Sequence, residues 1–178
     1  MLNEAVIGVV NQGDALLTEI ENANYVRKLP AAFNASIGGH YRHCLDHFRS
    51  LLDSASAGDL NYDHRERGTL VENDRFAALN ATRELRVNYQ GLPPECLSRQ
   101  LLITCKTSYA AHGSQASSSS VGREIMYVVA HAVRHYALIG IMGGLLGLKL
   151  PRGFGVAPST VKFQSESANP VPASPVSR

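Results

Sequence analysis

The chain has 178 residues, 44% of them hydrophobic and 18% charged, and 17 Lys and Arg against 15 Asp and Glu leave a formal charge of +2. A chain of this size buries one sizeable core unaided, so a metal is expected to serve function and not to hold a small zinc-finger fold together. The near-neutral balance, with arginines scattered from Arg27 to Arg178, gives no basic stripe to neutralise a row of phosphates, and no nucleic acid partner is expected.

From Leu2 to about Leu29 apolar residues recur mostly at steps of three and four, with Gly13 in the one gap, which predicts a first helix ended by Pro30. Ile37, Tyr41, Cys44, Phe48 and Leu51 alternate at steps of four and three and predict a second helix to about Ala55. The Gly58-Asp59-Leu60-Asn61 stretch breaks that pattern. Thr69 and Glu72 have the spacing of a capping box, predicting a third helix to Val87 or Tyr89. Leu97 to Tyr109 carries several β-branched and aromatic residues and reads as a hairpin turning near Ala110 to Gly113. Ser117 to Ser120 reads as a loop leading into a fourth helix, Val121 to Leu148, the most apolar segment of the chain.

Arg123, Glu124, His131, Arg134 and His135 interrupt that last segment, which argues for a core helix and against a membrane span of about 20 apolar residues. The fold class expected is all-α, a four-helix bundle with a small β-hairpin inserted before the last helix. It occupies residues 1–163, with Phe154 and Val156 docking against it, and the Pro- and Ser-rich residues 164–178 form a disordered tail. No signal peptide is read at the start, and three cysteines, Cys44, Cys96 and Cys105, lack zinc-site spacing. A cytoplasmic protein with packed thiols, no membrane partner and no disulfide framework is expected.

The one unusual feature of the composition is seven histidines, five of them in two clusters, His40, His43 and His47 on the second helix and His131 and His135 on the fourth. Residues at i and i+4 share a helix face, so His131 and His135 can point at one divalent ion, and a third ligand can come from the stripe on the second helix. Three His ligands with open positions describe a catalytic site more than a structural one. The plain alternative is a set of surface or core-edge histidines. On a helical wheel of about 100° per residue both clusters border the apolar stripe, as the edges of a one-sided cleft would, and the wheel favours His40 or His47 over His43.

Ser36-Ile37-Gly38-Gly39-His40-Tyr41-Arg42-His43, followed on the fourth helix by His131-Ala132-Val133-Arg134-His135, resembles the DinB/YfiT-like superfamily of metal-dependent four-helix-bundle proteins. The likeness extends over about residues 1–163 and includes the Phe154 to Phe163 segment. It implies a DinB-like bundle with a metal triad of His43, His131 and His135 completed by water. Metal identity stays open among Zn²⁺, Ni²⁺ and Fe²⁺, since imidazole ligands do not choose between them. The resemblance also implies thiol-dependent chemistry, because some relatives transfer or isomerise low-molecular-weight thiol adducts.

A metal-dependent transferase or hydrolase acting on a small molecule is therefore expected. The alternative is a non-catalytic metal- or ligand-binding bundle, with a homodimer formed through the apolar fourth helix. His47 and Glu124 are candidate catalytic groups, Glu124 because it lies two turns before His131. Its simpler role is a carboxylate at a helix N-terminus. The polar run Tyr62 to Arg67 is a candidate for the cleft mouth.

Overall fold

The computed structural model describes residues 2–64, 68–109 and 113–168. α1 (Leu2–Glu19) opens the chain, and the expected continuation to Leu29 is broken at Glu21, whose extended backbone starts the short α2 (Asn22–Tyr25). Pro30 then begins a single 3-10 turn, Pro30–Ala32, and not merely a stop. α3 (Ile37–Ala57) starts where the Ser36 hydroxyl accepts from the Gly39 amide and ends at Gly58, whose φ of +89° forms a left-handed cap.

Downstream of that cap the structure departs from expectation. Residues Asp59–Asn61 form a strand, β1, parallel to β2 (Gln100–Lys106), which pairs antiparallel with β3 (Ser114–Ser120). The all-α class with a lone hairpin is thus corrected to helices plus a three-stranded mixed sheet of order β1-β2-β3. β1 is too short to show alternation, and it exists because Leu60 is buried and its backbone finds β2 about forty residues on. The serines expected as a loop, Ser117 to Ser120, instead make the end of β3 and pair with Ile103 to Gln100. Of the expected turn, residues 110–112, including His112, lie outside the described residues.

The third helix is divided as well. α4 (Leu70–Asn73) and α5 (Arg75–Gln90) meet at Asp74, whose carboxylate accepts from the Phe76 and Ala77 amides, while Thr69 makes no side-chain cap. Asp74, not the Thr69–Glu72 pair, is the effective cap. α6 (Val121–Leu145) starts on the Ser120 hydroxyl, which accepts from the Arg123 amide. α7 (Pro158–Ala168) carries the chain past the expected boundary at residue 163, and residues 169–178 lie outside the described residues.

α1, α3, α5 and α6 pack around one core, with α1 against α5 and α6, and α3 against α6 and α5. Its centre is aromatic: Tyr25, Tyr41, Tyr89 and Tyr136 are all buried. Each hydroxyl brought inside needs a partner. Thr82 donates to the Ala78 carbonyl at 2.7 Å, so its oxygen takes the Tyr41 proton at 2.8 Å, and Tyr89 donates to the Phe48 carbonyl at 2.9 Å. Tyr41 and Tyr136 stack at 5.9 Å, and a side chain at Gly13 would collide with both hydroxyls. The gap in the apolar period of α1 is therefore the space in which the tyrosine pair sits.

α6 is long and apolar enough to cross a membrane by length and composition alone, yet it packs on α3 and α1, with Val128, Ala132 and Ile139 fully buried. Phe154 docks as expected, stacked on Tyr136 at 4.8 Å and buried. α3 and α6 run side by side in this arrangement, and their histidine stripes meet.

Candidate metal centre

α3 projects His40, His43 and His47 at steps of three and four, between the buried Tyr41, Cys44 and Phe48. α6 projects His131 and His135 on either side of the buried Ala132. Antiparallel packing pairs them as two rungs: His43 Nε2 lies 2.9 Å from His131 Nε2, and His40 Nδ1 lies 2.9 Å from His135 Nδ1. The ring centroids of His43 stand 4.9 Å from His131 and 4.7 Å from His135, and those of His131 and His135 are 4.6 Å apart.

One nitrogen from each of His43, His131 and His135 falls within 4.8 Å of the others, and all three residues are half-buried. These three could hold one metal ion. Imidazole nitrogens at about 2.0–2.1 Å from one ion stand roughly 2.9–3.4 Å apart on neighbouring positions, and the His43–His131 spacing already meets that range. The donor set, three imidazoles without a carboxylate or thiolate, suits Zn²⁺, Ni²⁺ or Fe²⁺ and disfavours Mg²⁺ or Ca²⁺.

The structure brings His47 to the same cluster in a different capacity. It is buried, and because a carbonyl can only accept, its Nδ1 donates to the His43 carbonyl at 3.0 Å. Its ring is sandwiched nearly parallel between His131 at 4.3 Å and Tyr62 at 4.9 Å. His47 thus lies behind His131 and holds its ring plane.

Glu124 is also buried, and it does not reach the histidines. Its two oxygens accept from Tyr62 at 2.8 Å and Ser119 at 2.6 Å. The reading of Glu124 as a partner of a ligand imidazole gives way to a clamp on Tyr62, and through Tyr62 and His47 on His131. Burial, then the Glu124 charge beside it, pushes the Tyr62 phenol far above its ordinary value, so it remains a donor. Tyr127, 5.7 Å from His131 and 5.2 Å from Tyr62, completes an aromatic wall. Tyr127 was discoverable as the residue one turn before His131. Tyr62 falls in the polar run expected at the cleft mouth, but its stacking on His47 depends on the long-range pairing of β1.

Among the described residues of the polar run, Tyr62 alone borders the histidines. Asp63 accepts from the Lys106 amide, His64 is exposed, and residues 65–67 lie outside the described residues. Cys44 is fully buried, and burial holds its thiol protonated, which fits packing and not nucleophilic use.

Tyr62→Phe removes a donor from a buried carboxylate. It is expected to lower unfolding stability by about 1–3 kcal/mol, measured from urea midpoints. An unchanged midpoint would show that Glu124 is satisfied without Tyr62.

No protein-family model matches the chain. FK506-binding protein 5 of Rhizopus delemar is 35% identical to it over 103 residues, which is 58% of this chain and 27% of that protein. The chain therefore spans about a quarter of the length of the curated relative it matches. The relative's name describes a whole protein of which this portion is the lesser part.

Proposed function

We propose that the chain is a divalent-metal-dependent enzyme whose ligands are His43, His131 and His135 and whose substrate is a small molecule. The observation that carries this reading is the convergence of three ring nitrogens from α3 and α6. A bound Zn²⁺, Ni²⁺ or Fe²⁺ would supply Lewis acidity toward an oxygen or a thiolate. The chain's own groups do the rest: three neutral imidazoles leave positions for substrate, and His47, Tyr62 and Tyr127 wall off the side of His131.

The resemblance of the two histidine motifs to DinB/YfiT-like proteins supports a low-molecular-weight thiol as co-substrate, in transfer or isomerisation of a thiol adduct. Hydrolysis is the other reaction class the open positions allow. Metal-loaded protein screened against thiol–acceptor pairs and simple ester and amide substrates tests this. Turnover is expected in the native chain and not in the His43→Ala/His131→Ala/His135→Ala variant. Turnover that persists in the triple variant contradicts the assignment.

A second reading has its own observation. Met126, Leu138, Ile141 and Leu145 of α6 are exposed, and only 33% of the most apolar stretch of that helix is buried. Such a strip favours a non-catalytic metal- or ligand-binding protein that pairs with a second copy through α6. Stoichiometric metal with no turnover across the panel, together with a dimer by sedimentation, would favour this second reading.

A further inference from the structure

Four histidines form the two rungs between α3 and α6, but the three-nitrogen cluster takes only three of them. His40 is left over. It lies one turn from His43 on the same helix, and its Nδ1 stands 2.9 Å from Nδ1 of His135. At that separation one nitrogen carries the proton and the other accepts it. An imidazole that binds a metal through one nitrogen carries its proton on the other and usually donates it to a fixed acceptor, which sets both tautomer and ring orientation.

We propose that His40 is a positioning residue of the metal centre: its Nδ1 accepts the Nδ1 proton of His135 and so commits His135 to bind the ion through Nε2. This rests on the metal reading of His43, His131 and His135 given above.

Two observations support the direction of this hydrogen bond. His40 is not one of the three residues whose nitrogens converge, so its lone pair is not needed by the ion. Its ring is half-buried against that of His135, with centroids 5.2 Å apart and planes tilted by 44°, so the contact is through the ring edges and not a stack. The usual outer partner of a ligand histidine is a carboxylate or a backbone carbonyl. A neutral imidazole fixes the ring as firmly without adding negative charge, and it suits a half-open site whose ion keeps its Lewis acidity. The two α6 ligands are then held by different devices, His135 by the His40 edge and His131 by the His47 face.

The test is a Zn²⁺ affinity series on the full chain, by competition with a chromophoric chelator, using the native protein, His40→Ala, His40→Asn and His135→Ala. Each variant is checked for native circular dichroism. Asparagine places its side-chain oxygen near the position of Nδ1 and can accept the same proton. His40→Ala is expected to weaken binding about 10- to 100-fold, with a changed visible spectrum of the Co²⁺-substituted protein. His40→Asn is expected to bind within a few-fold of native and to keep the native spectrum, and His135→Ala to lose more than His40→Ala. Native affinity and spectrum in His40→Ala would overturn the proposal, as would His40→Asn behaving like His40→Ala. No Zn²⁺ uptake by the native chain is a different result, since it removes the metal reading itself.

Discussion

Replacing His131 or His43 with alanine is expected to weaken Zn²⁺ binding more than about 100-fold, beyond the effect of removing an outer partner, while His47→Ala leaves a measurable site. The reasoning is geometric. His43 and His131 face each other through their Nε2 atoms at 2.9 Å, so each supplies one of two ring nitrogens that already stand at the spacing of neighbouring ligands. Deleting either leaves an ion with two imidazoles and solvent. His47 spends its Nδ1 proton on the His43 carbonyl and lies flat against His131, so its loss loosens the ring of His131 without removing a ligand. Chelator competition on the three single variants decides the matter. If His47→Ala abolishes binding and His43→Ala retains it, the α3 ligand is His47, one of the two residues the helical wheel alone favours.

Gly155→Ala is expected to be a severely damaging conservative change outside the site, lowering stability by about 3 kcal/mol or more. Two costs coincide there. The residue has a φ of +69°, which an L side chain adopts at a penalty of about 1–2 kcal/mol. A methyl group would also lie 2.5 Å from both the Tyr136 carbonyl carbon and the Ala137 nitrogen, which are rigid backbone atoms of α6. The loop must then retreat, and with it go the amide of Gly155 donating to Gln12 at 3.1 Å and the stacking of Phe154 on Tyr136.

Since α6 carries two of the three candidate ligands, the same variant is expected to weaken metal uptake. Gly58→Ala is the control: its φ is +89°, but no heavy atom stands within 4 Å of the new methyl. It should cost the backbone penalty alone. For a chain of this size 3 kcal/mol corresponds to a fall of roughly 6–12 °C in Tm, and equal falls in the two variants would show that the contact with α6 carries no weight.

What the sequence disclosed follows the range of the interactions involved. α3 was legible because its signals are local: Ser36 at the start, Gly58 at the end and an unbroken apolar stripe between them. The same locality exposed His131 and His135, which share a face by spacing alone. The break at Asp74 was hidden by a Thr69–Glu72 spacing that imitates a capping box, and the real cap is visible only as the Asp74 carboxylate meeting two amides. β1 was illegible because three residues carry no period, and the end of the expected hairpin read as a loop because the run of serines in β3 has weak strand propensity and takes its structure from the backbone of β2. Missing β1, which turns the expected hairpin into a three-stranded mixed sheet, is what made the fold look all-α.

At the site the division is the same. The triad was read from motif and resemblance, whereas the contacts that shape it, Tyr62 with Glu124 and His40 with His135, span 62 and 95 residues. Glu124 illustrates the limit most plainly. Its position on the helix was right, and its partner could be found only through the sheet that carries Tyr62 toward α6.

The most direct test of the central claim is elemental analysis of the chain purified without an affinity tag or chelator, before and after divalent metals are added back. The account predicts close to one ion of Zn, Ni or Fe per chain in the native protein, falling to near zero in the His43→Ala/His131→Ala/His135→Ala variant. A stoichiometry near zero in the native protein, even after metal is restored, would contradict it.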